Sequence, residues 1–454
     1  MRHRHHPHSQ GSKPQFSFPC TPATTILHPM TVAEQMLQLA TQAKTASHQL
    51  ALLSTQDKNH CLEAMAKAIL NHSSQLQQAN QQDLATAAEM GLSQAMLDRL
   101  KLTDARIQAM AQGLQEVAAL PDPVGRTLEE RTRPNGLRLQ KVSVPIGVVV
   151  IIYESRPNVT ADAASLCLKS GNATILRGGK EAIHSNQLIA KIMVEAAQKT
   201  MPQFPEHAIQ VVPTTDRAAI PELLSLTHLV DLCMPRGGEG LIRAVADCSK
   251  VPVIKHYKGV CHTYIDRHAD PNMAEAVAVN AKVQRPGVCN AMETLLVDAA
   301  VAKTLLPIIA KSLAQHHVEL RADPESLEIL QTTNSLNLKP ATEADYHTEY
   351  NDLILNVRTV KGVDSAIHHI NRYGSHHSDC IITAHEPTAR KFLAAVDSAA
   401  VYWNASTRFT DGSQFGMGAE IGISTDKVGA RGPMGLEELT TIKWLCFGNG
   451  QIRS

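Results

Sequence analysis

Apolar positions first recur at helical spacing from residue 31 onward. Met36, Leu39, Ala43, Ala46, Leu50 and Leu53 step by three and four residues, the stripe of one amphipathic helix. Thr31 with Glu34 ahead of it has the form of a capping box. A second stripe carries Leu62, Met65, Ala66, Ile69 and Leu70, and a third carries Ile107, Met110, Leu114 and Val117. Gly91 and the stretch 121–125 punctuate them, so residues 31–120 predict a helical lead-in whose stripes serve core packing. Over 126–143 the pattern changes. Pro134-Asn135-Gly136 is a turn between segments of mixed charge, and Leu137 and Leu139 alternate after it, which predicts an exposed two-stranded hairpin. Such a hairpin is marginal alone and is expected to pack on something else, such as a neighbouring subunit.

Next comes Ile146-Gly147-Val148-Val149-Val150-Ile151-Ile152-Tyr153, a short β-branched run of the kind buried on both faces of a sheet. A helix over 160–170, a strand at 173–177, a helix over 181–198 and a strand at 208–212 follow. A short helix, a strand at 229–233, a helix over 238–247 and a strand at 251–255 complete the set. Alternating strands and helices predict an open parallel α/β sheet, which binds ligands at the carboxyl ends of its strands. After about residue 256 the pattern restarts with a helix (273–283), a strand (293–297) and a helix (301–315). Strands at 353–357 and 380–383 continue it into a second α/β domain.

Length changes this picture little: 454 residues, at about 150 per domain, allow two or three domains. Charge excludes more. Lys+Arg and Asp+Glu both number 43, so the chain lacks the positive surplus of a nucleic-acid binder, and aromatics at 4% leave little for base stacking. No run of about 18 apolar residues is present to span a membrane. The nine cysteines are scattered with no CxxC pair, so no metal site is expected, and the chain reads as a reduced cytoplasmic protein. Residues 1–29 carry His3, His5, His6 and His8, then four prolines, with no apolar periodicity and no secretory h-region. A missing Asp or Glu before Glu34 allows a transit peptide, but the prolines oppose its helix. The segment is expected to be a disordered tail, or a start placed too early with Met30 as the natural first residue.

Three places carry candidate chemistry. Arg177-Gly178-Gly179-Lys180 lies between a strand and a helix, and Arg236-Gly237-Gly238 opens another helix. Glycines there let backbone approach a phosphate, and a helix N-terminus favours an anion. Each alone equally describes a solvated turn. Sharper is Gln284-Arg285-Pro286-Gly287-Val288-Cys289-Asn290, which sets one cysteine on a Pro-Gly turn ahead of a strand. A nucleophilic thiol needs access and a lowered pKa, and Arg285 is expected to help supply the second. Cys167, Cys233 and Cys248 fall within apolar elements and are assigned to packing.

Around Cys289 the chain resembles the γ-glutamyl phosphate reductases, a branch of the aldehyde dehydrogenase superfamily. The likeness runs from Met30 to the C-terminus. It rests on Tyr153-Glu154-Ser155-Arg156-Pro157-Asn158-Val159-Thr160, on Arg285-Pro286-Gly287-Val288-Cys289-Asn290 and on Ile370-Asn371-Arg372-Tyr373-Gly374-Ser375-His376-His377. Asn404-Ala405-Ser406-Thr407-Arg408-Phe409-Thr410-Asp411-Gly412 and Gly432-Pro433-Met434-Gly435-Leu436-Glu437-Glu438-Leu439 follow in order.

That resemblance implies an α/β, aldehyde dehydrogenase-like fold with two open parallel-sheet domains plus an oligomerisation hairpin. Residues 30–125 and 144–255 would form the NADP-binding domain, 126–143 with part of 432–454 the hairpin, and 256–431 the catalytic domain. It implies NADPH-dependent reduction of L-glutamyl 5-phosphate to L-glutamate 5-semialdehyde with release of phosphate, in proline biosynthesis. Cys289 would form the thioester and Asn158 the oxyanion hole. Arg156 and Arg285 would bind the acyl phosphate or the substrate carboxylate, and Arg177 would suit the extra phosphate of NADP. Gly178, Gly179, Lys180, Arg236, Gly237 and Gly238 would complete the cofactor site. A homo-oligomer and supply by an upstream glutamate kinase are also expected. The rival is an aldehyde dehydrogenase that hydrolyses its thioester with a glutamate base roughly thirty residues before the cysteine. Here that stretch, Lys255-His256-Tyr257-Lys258-Gly259-Val260-Cys261-His262, holds no acid, and the nearest upstream glutamate is Glu275, in a predicted helix.

Overall fold

The apolar stripes of the lead-in become the buried faces of helices Val32–Leu50, Thr55–Asn71 and Asp104–Ala119. Leu53 lies beyond its helix, partly buried, and Leu70 is exposed. Two further helices, Ser73–Glu89 and Gln94–Leu100, escape the periodicity because much of the first one's inner face is polar. Asn80 is buried and bonds the Leu100 carbonyl and the Ser185 hydroxyl. Asp83 accepts the backbone N–H groups of His184 and Ser185, satisfying two orphan donors of helix Ile183–Thr200. The computed structural model describes Met1, His3 and residues 30–453, so the reading of 1–29 as a tail or early start lies outside the described residues.

Strand Val148–Tyr153, buried at every position, sits inside a four-stranded parallel sheet. Its neighbours are Ala173–Arg177, then Ile209–Val211, on one side and Leu232–Arg236 on the other. Chain order reverses between Val148–Tyr153 and Leu232–Arg236, which makes a crevice beyond their carboxyl ends. The expected strand at 251–255 is corrected to a single bridge between Cys233 and Val253. There the Lys255 backbone N–H goes to the Asp426 carboxylate at 3.0 Å rather than to a sheet neighbour.

A second parallel sheet has seven strands, with Cys261–Ile265, Met292–Asp298 and Ser378–Ile382 near its middle. Cys261–Ile265, Glu319–Ala322, Asn337–Pro340 and Ala400–Trp403 were not legible as strands. The first of them buries His262 and Thr263, so it lacks a continuous apolar run. The expected hairpin forms from Thr127–Thr132 and Arg138–Pro145, and Thr440–Phe447 adds a third antiparallel strand. Among the described residues no helix is long and apolar enough to cross a membrane.

Candidate active site

Side chains from both sheets meet at one crevice. The four-stranded sheet supplies the carboxyl ends of its strands: Glu154, Arg156 and Asn158 follow Tyr153, and Arg236 ends Leu232–Arg236. The seven-stranded sheet supplies amino ends instead. Cys289 lies just before Met292–Asp298, Gly259 just before Cys261–Ile265, and His377 immediately before Ser378–Ile382.

The Cys289 turn is held from below and behind. Gly259 lies so close that a Cβ there would collide with the Cys289 carbonyl. That carbonyl accepts the Cys261 thiol at 3.2 Å. Buried Asn290 donates to the Thr410 carbonyl at 2.8 Å, accepts the Arg408 guanidinium, and its own carbonyl accepts the Thr407 hydroxyl at 2.7 Å. Arg408 also reaches Gln284 Oε1 at 2.9 Å. So the 404–412 motif anchors the cysteine turn.

Burial pushes the half-buried Cys289 thiol up to about 12, Glu349 and Glu420 push the same way, and Arg236 opposes them. This corrects the expectation of a lowered pKa, and the opposing cation is Arg236 rather than Arg285. Desolvation and the two carboxylates outweigh the attraction of the guanidinium. Arg156 is held below its ordinary value by burial and by the nearby charges of Arg99, Arg236 and Arg285. Arg408 is lowered by burial and by Arg285, and it feels Cys289. Five guanidiniums therefore share this region, a field suited to a substrate with more than one negative charge.

Glu349 and Glu420 are the acids that scanning the chain ahead of Cys289 missed. Glu349 accepts the Gly259 N–H at 2.9 Å and Glu420 the Gly412 N–H at 2.7 Å. His256 and His377 were missed too, although His377 lies in a recognised motif and His256 in the stretch scanned for acids. One ring nitrogen of each lies with the Cys289 sulfur in a group spanning no more than 4.8 Å. This donor set has the chemistry of a soft-metal site, but the surrounding guanidinium charge opposes a cation.

Asn158 begins helix Asn158–Lys169, and its amide donates to Asp162 at 2.9 Å, leaving its second N–H for another acceptor. Arg285 is exposed at the rim. Arg177, Gly178, Gly179 and Lys180 line a cleft with Thr214 and Thr215 at the carboxyl end of Ala173–Arg177. Arg177 donates to the carbonyls of Gly178 and Thr215 at 2.9 and 3.3 Å, which leaves cationic and hydroxyl groups at the cleft wall. This lining fits the phosphate-bearing end of a nicotinamide dinucleotide. At the other glycine loop a Cβ on Gly237 would press on the Glu154 carboxyl group, and Glu154 accepts the Gly238 N–H at 3.1 Å. Glu154 thus engages one backbone donor of the loop that opens helix Glu239–Cys248. Cys167 and Cys233 are buried as assigned, while Cys248 is partly exposed.

A model of the aldehyde dehydrogenase family matches residues 9–328. The γ-glutamyl phosphate reductase of Opitutus terrae is 55% identical over 424 residues, covering 93% of this chain and 99% of that protein. The one from Geobacter metallireducens is 51% identical over 424 residues, covering 93% and 100%. Among solved structures, the γ-glutamyl phosphate reductase of Thermotoga maritima superposes with a TM-score of 0.89 at 44% identity, covering 92% of this chain and 100% of that one. An acetylating aldehyde dehydrogenase from Geobacillus thermoglucosidasius, 18% identical with a TM-score of 0.64 over 93% and 98%, shares the fold. Together with a crevice that sets one cysteine among arginines between two parallel sheets, these likenesses make the chain a member of the γ-glutamyl phosphate reductases, oxidoreductases of the aldehyde dehydrogenase family.

Proposed function

We propose that the protein reduces L-glutamyl 5-phosphate to L-glutamate 5-semialdehyde with NADPH, releasing phosphate, as a step of proline biosynthesis in the cytoplasm. The observation that carries this reading is the convergence of Arg156, Arg236, Arg285 and Arg408 on the field around Cys289. An acyl phosphate bearing a second carboxylate is the kind of polyanion such a field selects.

Arg156 and Arg285 hold the anionic ends of the substrate. The sulfur of Cys289 attacks the acyl carbon, the carbon–oxygen bond to phosphate breaks, and a thioester remains on Cys289. Asn158 and the backbone N–H of Cys289 stabilise the oxyanion formed on attack. Arg177, Gly178, Gly179 and Lys180, with Arg236, Gly237 and Gly238, hold the nicotinamide dinucleotide, and Arg177 meets the phosphate that distinguishes NADP. When bound, that cofactor supplies the hydride. Residues 30–125 and 144–255 act as the cofactor domain and 256–431 as the catalytic domain. The three-stranded sheet joins copies into a homo-oligomer. Acyl phosphates are labile, so a glutamate kinase upstream supplies the substrate.

A second reading, hydrolysis of the thioester, is favoured by the closeness of Glu349 and Glu420 to Cys289. The reverse reaction separates the two. NADPH formation from glutamate semialdehyde and NADP⁺ is expected only with inorganic phosphate present, and Cys289→Ala is expected to abolish it. Equal turnover without phosphate would assign the reaction to water and to one of these carboxylates.

A further inference from the structure

We infer that His256 accepts the thiol proton of Cys289 as the sulfur attacks and returns it when the aldehyde leaves. The inference rests on the reading of Cys289 as the nucleophile. Its starting point is a deficit: the thiol is half-buried and the cysteine loop brings no base of its own. The segment crossing beneath it does. Gly259 is wedged against the Cys289 backbone, so the loop bearing His256 is fixed relative to the sulfur. A ring nitrogen of His256 stands within 4.8 Å of that sulfur.

Hydrogen bonding sets the tautomer. Nδ1 of His256 lies 2.8 Å from the Ile423 carbonyl oxygen, which can only accept. Nδ1 therefore carries the hydrogen, and Nε2 of the neutral ring has its lone pair free to take a proton. Burial first, and Arg236 as well, hold His256 below its ordinary value, so the ring stays neutral at physiological pH.

The groups facing the pair assign the other roles. His377 meets His256 edge-on with centroids 5.6 Å apart. It is fully buried, its pKa is pushed down to about 3 by burial and by His256, and its Nδ1 lies 2.8 Å from the Ser378 hydroxyl. Its Nε2 has no partner. So weak a base positions rather than accepts. Lys255 beside His256 is paired with Asp426 at 3.1 Å. Glu349 and Glu420 are each engaged by a backbone N–H.

The balance closes. On attack the sulfur–carbon bond forms, the carbon–oxygen bond breaks, phosphate leaves with that electron pair, and the thiol proton moves to Nε2. After hydride reaches the thioester carbon, the carbon–sulfur bond breaks toward sulfur, and the thiolate recovers the proton from the imidazolium. Phosphate takes its own proton from solvent, so each turnover consumes one.

The test needs neither substrate nor cofactor, so its failure is distinct from a failure of the phosphate-dependence assay. Alkylation of Cys289 by iodoacetamide is followed by peptide mapping from about pH 5 to about pH 9. In the unaltered protein the rate is expected to rise through an inflection below the ordinary histidine value and then level. His256→Asn keeps an amide donor for the Ile423 carbonyl. It is expected to slow the reaction at neutral pH by about 10²-fold and to leave a rate still climbing at high pH. Added imidazole is expected to restore part of the rate in His256→Ala. An unchanged profile in His256→Asn, or a displaced profile in His377→Asn or Glu349→Gln instead, would overturn the assignment.

Discussion

Gly259 and the carbonyl of Cys289 touch with no space for a side chain between them. The contact ties the amino end of one central strand to the nucleophile carried before its neighbour. Gly259→Ala must push the cysteine turn aside. We expect it to fold with a lowered melting temperature, at a cost of about 1–3 kcal/mol, and to lose about 10²-fold in kcat/KM, the scale of a displacement near 1 Å at a reacting atom. Steady-state kinetics beside a melting curve checks both halves.

Beneath the same turn, Lys282 and Glu293 form an ion pair at 2.9 Å with both side chains fully buried. Burial holds Glu293 above the usual carboxylate range and Lys282 below the usual lysine range. Lys282→Met would strand the carboxylate, at a cost of about 3–5 kcal/mol at neutral pH in urea unfolding. The cost should shrink as pH falls and Glu293 takes a proton. Replacing both partners with methionine should recover most of it.

Asp162 gives a pH-dependent prediction. Burial pushes its carboxyl up to about 6 from 3.8, against the opposing bond from Asn158. A carboxyl whose folded pKa lies above its unfolded value binds its proton more tightly in the folded state. Its contribution to stability is full below the unfolded value and is lost as pH rises through the folded one. Asp162→Asn should therefore gain stability relative to the parent between about pH 4 and about pH 7. Chemical denaturation at the two ends measures the gain.

On the three-stranded sheet, Ile442, Trp444 and Phe447 are 48%, 42% and 43% exposed along one edge strand. An unpaired edge with large apolar side chains invites another chain. If the proposed oligomer uses this sheet, Trp444→Glu should lower the mass seen by sedimentation while leaving the alkylation profile of Cys289 unchanged.

Local pattern made much of this molecule legible. Val148–Tyr153 is a run of apolar residues because both faces of its sheet are covered, and Pro134-Asn135-Gly136 turns the hairpin where a turn residue is required. Legibility failed where polar side chains do the packing. Ser73–Glu89 hid behind buried Asn80 and Asp83, and Cys261–Ile265 behind buried His262 and Thr263. It failed also at 251–255, where a distant aspartate takes the backbone donor that a strand would have used.

Order along the chain therefore determined the two α/β halves, the hairpin, the Pro-Gly turn bearing Cys289 and the motifs that mark its family. Tertiary structure alone decided that the carboxyl ends of one sheet meet the amino ends of the other. It brought His256 and His377 to the sulfur, carried Glu349 and Glu420 in from far along the chain, and made Arg236 rather than Arg285 the cation that opposes the rise in the thiol's pKa. The reason is physical. Hydrogen-bond periodicity and turn chemistry act over a few residues and are written in spacing, whereas desolvation and charge sum over every group within several ångströms, whatever its place in the chain.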